Sequence, residues 1–155
     1  MNTTADPPVE IVRGVIAVLA GMMVASVLPE VLETTLVRAA SEGPLNDVAA
    51  YFAVRNRPSI LVAKIVSGAL TAVLAGYFVA KLAGSLELGH AAIAGLVQTA
   101  TLAWAFTIGE YASATPIWVR ALLLALTAPA MVLGASVRRR ARLAELPALP
   151  TAGRT

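Results

Sequence analysis

The chain has 155 residues, of which 58% are hydrophobic and 14% charged, with a formal net charge of +3; a soluble domain typically carries about 25% charged residues. It has no cysteine and a single histidine, His90. This excludes disulfide exchange, thiol catalysis, iron–sulfur and thiolate zinc sites, and bis-histidine haem ligation within one chain.

Residues 1–10 are polar, contain Pro7-Pro8 and read as an N-terminal tail. The first apolar run is 11–28. A cleaved signal peptide would need a basic segment in front of it, but Asp6 and Glu10 precede a single Arg13, so an uncleaved membrane span is expected. Pro29-Glu30 follow, and residues 31–40 can continue as an amphipathic helix. Residues 41–58 form the longest stretch between spans. Within it, 48–54 is apolar and contains Tyr51 and Phe52, which suits either a short interfacial helix over 45–56 or an ordinary loop.

The second, third and fourth spans are expected at 59–80, 89–108 and 117–137, with Pro129 inside the last and short turns between them. Each is long enough to cross a hydrocarbon core of about 30 Å. None alternates apolar and polar residues as a membrane β-barrel strand would. Residues 138–155 form a basic, proline-containing tail. The fold class expected is all-α, an integral membrane four-helix bundle spanning 11–137.

Four spans put both termini on one side. Five of the twelve basic residues follow Val137. The cluster Arg138, Arg139, Arg140 and Arg142, directly after a span, is a topology signal that places both termini in the cytoplasm and can also contact anionic lipid.

Small residues at four-residue spacing bring membrane helices close. Gly68, Ala72 and Gly76 form the clearest such stripe, which makes the second span the expected centre of packing. Ala17, Gly21 and Ala25 form another in the first span, Ala91, Gly95, Thr99 and Ala103 in the third, and Ala121 and Ala125 in the fourth.

Polar groups at membrane depth are the remaining places for chemistry. Lys64 lies about 9 Å into the second span, at 1.5 Å per residue, and on its packing stripe. Glu30 and Glu110 are its expected partners, at the same level as Arg120. Such a set is either an ion or anion site or an ion pair that fixes helix register. Gln98, with Thr101 on its face, reads as interhelical glue. His90, three residues after Glu87, reads as a helix-start residue rather than a proton shuttle.

The stretch Ala75-Gly76-Tyr77-Phe78-Val79-Ala80-Lys81-Leu82-Ala83-Gly84, with Glu87-Leu88-Gly89-His90-Ala91 and Gly95 after it, resembles a pattern seen in small uncharacterised bacterial four-span membrane proteins. The resemblance covers residues 68–100. It implies the bacterial inner membrane but no activity, and it transfers no functional residue. Small multidrug exporters share the span number, but they carry a mid-span carboxylate in the first helix that this chain lacks.

The expectation is therefore a non-catalytic accessory or assembly subunit of a larger membrane complex, with a small oligomeric transporter or channel as the alternative. No cofactor and no catalytic or metal residue is expected. The expected partners are the bilayer and other membrane subunits or further copies of the chain, with no nucleic acid.

Overall fold

The computed structural model describes residues 7–109 and 112–145. Among these, regular structure is entirely helical: α1 (Pro7–Ala40), α2 (Val48–Arg55), α3 (Pro58–Ala83), α4 (Glu87–Ile108) and α5 (Ile117–Ala144), with a single 3-10 turn at Ala112–Ala114. α1, α3, α4 and α5 are each long and apolar enough to cross a membrane. The chain is a multi-pass membrane protein built as a four-helix bundle, with α2 as a short cap at one end. The two ends of the bundle are called here the α2 end and the tail end.

Local chemistry sets several of the boundaries. Pro58 opens α3 and needs no amide partner there. The Asp47 carboxylate accepts from the Ala50 amide at 2.7 Å and caps α2, so the stretch open to two readings is helical over Val48–Arg55. Gly84 ends α3 with φ 74°, a conformation that favours glycine. α1 begins earlier than the apolar run and continues through Pro29 to Ala40, at 34 residues or about 51 Å. α5 likewise runs through Pro129 and past Val137 to Ala144. Prolines are tolerated inside membrane helices when neighbours satisfy the freed carbonyl.

α3 is the hub, packed most extensively on α5 and α1, while α4 lies against α5, α3 and α1. The core is made of small residues: Ala17, Ala72, Ala75, Ala80, Ala83, Ala91, Ala94 and Ala135 surround Val79 and Met131. With lipid outside, burial of apolar surface does not draw helices together, so backbone approach and van der Waals contact must. The closest approach joins α3 to α5. A β-carbon on Gly76 would fall on the Met131 carbonyl, and one on Gly134 would fall on the Val73 carbonyl.

Of the small-residue stripe, Ala72 and Gly76 are buried and Gly68 is half-buried against Leu123. In α5 the inward face is not the one that small-residue spacing marks. Ala121 and Ala125 are exposed, while Thr127, Met131, Gly134 and Ala135 are buried.

A second, smaller core of Val37, Val54 and Ile60 closes the α2 end. It clamps α2 between the last turns of α1 and the first turn of α3.

Candidate functional site

The polar site lies at the α2 end and is organised by a carboxylate that spacing alone did not single out. Glu33 is 3% exposed and occupies the inner face of α1. One of its oxygens takes Nε of Arg55 and the other takes Nζ of Lys64. The Tyr51 hydroxyl donates to the first oxygen at 3.3 Å. Arg55, the last residue of α2, lies over the Phe52 ring at 5.0 Å and donates through Nη1 to Thr115 Oγ1 at 2.9 Å. The Thr115 carbonyl accepts from Arg120 Nε at 2.7 Å, and Asn56 donates to the Ala114 carbonyl at 2.9 Å. These bonds tie α1, α2, α3 and the approach to α5 into one network.

A lone ion at this depth would be costly, and pairing with satisfied hydrogen bonds is what permits it. Burial, and then the Glu33 carboxylate, push the Tyr51 phenol above its ordinary range. It therefore stays protonated as a donor.

Lys64 thus has a carboxylate partner, which among the described residues is Glu33 and not the expected Glu30. Glu30 is exposed, one turn before Glu33, and forms no ion pair among the described residues. Glu110 lies outside the described residues.

Beside the cluster is a cavity of about 270 Å³, near the low end of the roughly 300–1,000 Å³ usual for small-ligand pockets. All four spanning helices contribute to its wall. Arg55, Lys64 and Glu30 form its charged end. Ala69, Ala72, Leu102, Ala105, Leu123 and Leu126 form its apolar body, with Ser26, Gln98 and Thr127 deeper in. Pro29 and Ala25 line it too. Because Pro29 has no amide hydrogen, it leaves the Ala25 carbonyl without its helical donor.

Gln98 is 3% exposed and bonds Ser26 of α1, with Nε2 at 3.1 Å and Oε1 at 3.3 Å from the hydroxyl. A bond of this kind between membrane helices is worth about 1 kcal/mol. Thr71 and Thr101 instead bond carbonyls of their own helices.

At the tail end, Glu87 pairs with Arg142 at 3.2 Å, and His90 Nδ1 faces the Leu86 carbonyl at 3.2 Å. The His90 ring fills the space that a side chain on Gly14 would need. Arg13 donates to the Leu82 carbonyl at 2.6 Å, and Arg142 to that of Gly84 at 3.2 Å. Arg138 is partly buried, 4.0 Å from Glu145. Arg139 and Arg140 are exposed.

No group of three or more potential metal-binding side chains occurs among the described residues. Compared with protein-family models, curated proteins and solved structures, the chain matches none.

Proposed function

We propose that this is a non-catalytic protein of the bacterial inner membrane that admits a small amphipathic anion into the cavity between its spans, as a small transporter or carrier. The single observation that carries this reading is the cavity itself, polar at one end and apolar along its body, with two cations in its wall that share one buried carboxylate. Lys64 has three N–H donors and gives one to Glu33. Arg55 gives Nε to Glu33 and Nη1 to Thr115. Their other donors suit a carboxylate head, while the alanine and leucine wall suits a short hydrocarbon body.

The test uses the full chain in liposomes, with a panel of short- and medium-chain carboxylates and their uncharged amides. Saturable uptake of a carboxylate over its amide is expected, with about a tenfold loss in Lys64→Met. That variant leaves Glu33 paired with Arg55, so the bundle should persist. Ala69→Phe, which fills the apolar body without altering charge, should block uptake as well. Absence of saturable uptake for every carboxylate in the wild-type protein would reject the reading.

An accessory-subunit role is favoured by a different observation. α1 exceeds the bilayer thickness by about 20 Å, and its outer turns expose Val31, Leu32 and Leu36. Co-purification of a stoichiometric membrane partner would give that role precedence.

Both termini are placed in the cytoplasm. The support is the arginine cluster from Arg138 to Arg142, directly after the last span. An alkaline phosphatase fusion at residue 155 should be inactive and a fluorescent-protein fusion bright. The reverse pattern would invert the orientation.

A further inference from the structure

The tail end carries a second site, separate from the cavity and independent of the function proposed for it. A pocket of about 400 Å³ is lined by Arg13, Lys81, Arg138 and Arg142, with Glu10 and Glu87 also in its wall. Four cations against two carboxylates leave it with an excess of positive charge.

Two buried polar atoms in its wall lack a hydrogen-bond partner: the donor Nε of Arg138 and the acceptor Oε2 of Glu87. The Glu87 side chain is only 5% exposed, and its other oxygen holds Arg142. Orphaned buried polar atoms are costly and rare. Here a donor and an acceptor are orphaned in the wall of one pocket. A ligand that matched them would carry an acceptor for Arg138 and a donor for Glu87.

The pocket is continuous with an apolar groove. Val9, Arg13 and Lys81 belong to both, and Pro8, Val12, Ile16 and Leu82 complete the groove between α1 and α3. Val12 and Ile16 are each 57% exposed on the bundle surface. Lys81 and Arg138 directly follow the apolar runs of their helices, which sets the pocket at headgroup level.

We propose that this end of the bundle holds one anionic glycerophospholipid with a hydroxylated headgroup, of the phosphatidylglycerol type. Its phosphodiester sits among Arg13, Lys81, Arg138 and Arg142, its headgroup hydroxyl reaches Glu87, and one acyl chain lies in the α1/α3 groove. The positive excess favours a singly charged anionic headgroup over a zwitterionic one, whose cation it repels.

Native mass spectrometry of the delipidated full chain in mild detergent tests this, with phosphatidylglycerol and phosphatidylcholine of identical acyl chains and with water-soluble glycerophosphoglycerol as probes. One phosphatidylglycerol per chain should be retained about tenfold more strongly than phosphatidylcholine, and the soluble headgroup should not be retained. Lys81→Gln with Arg138→Gln should reduce retention to the phosphatidylcholine level. Arg139→Gln with Arg140→Gln removes equal charge outside the pocket and should leave retention unchanged.

Ile16→Trp, on the exposed groove, should weaken retention without changing charge, and it decides the matter if the Lys81/Arg138 variant does not fold. Equal retention of both lipids overturns the proposal. So does equal loss in the two charge variants, which would mean diffuse attraction. Retention of the soluble headgroup as strongly as the lipid would make this a phosphate-ester site and overturn the lipid assignment.

Discussion

Glu33→Gln is expected to destabilise the detergent-solubilised protein by about 3 kcal/mol, the scale seen when one member of a buried ionic cluster is removed. The carboxylate neutralises Arg55 and Lys64 together. Glutamine keeps the shape but leaves two cations facing one another without a counter-charge. Adding Lys64→Met to Glu33→Gln should recover part of the loss, because it removes one stranded cation. Residues in direct contact commonly couple by about 0.5–3 kcal/mol. A denaturant titration of the wild type, both single variants and the double variant reads this out. Equal stability of Glu33→Gln and wild type would show that the cluster holds nothing together.

Gly76→Ile should be at least as damaging, at about 3 kcal/mol or more, since overpacking a close contact typically costs about 1–3 kcal/mol even where side chains can yield. At Gly76 the obstacle is the backbone of Met131, and on the reciprocal side Gly134 meets the backbone of Val73 and Tyr77. Backbone cannot rotate away, so α3 and α5 must separate. The expected result is loss of a monodisperse peak in size-exclusion chromatography for Gly76→Ile and Gly134→Ile alike. Gly43→Ile, at a position with open space around it, should leave the peak intact.

The four spans were legible because length and hydropathy suffice to identify a membrane helix. Lys64 was legible because a charge at that depth is conspicuous. Glu33 was not, because Pro29-Glu30 reads as the end of a span, which left the carboxylate in an amphipathic continuation beyond it. A signal was nonetheless present. Extending the stripe Ala17, Gly21, Ala25 by further steps of four reaches Pro29, Glu33 and Val37, and the last two are buried. The same stepping back from Gly68 reaches Lys64, so the two stripes meet at this ion pair.

The inward face of α5 was less accessible. A helix that is apolar all round has little amphipathic contrast. Whether Ala121 or Gly134 turns inward is then decided by its neighbours, and Gly134 is recognisable only once the backbone of Val73 and Tyr77 lies against it. Arg55 and Thr115 join the site through the fold of α2 and the turn before α5, across 60 residues of chain. No local spacing encodes that.

The pairing of Glu33 with Lys64 also bears on how the protein is made. A lysine entering the bilayer alone carries an insertion penalty that reaches about 2.5–3.5 kcal/mol at the centre of a helix. Its counter-charge lies on α1, which leaves the ribosome first. When α3 reaches the translocon, the neutralising group has already been synthesised, and the two segments can enter lipid as a hairpin with the charge already matched. Arg55 emerges between them and is carried across with the segment that joins the two spans, to meet the same carboxylate on the far side. Order of synthesis and order of neutralisation therefore coincide, and the two-span intermediate already contains the partners of its costliest charge.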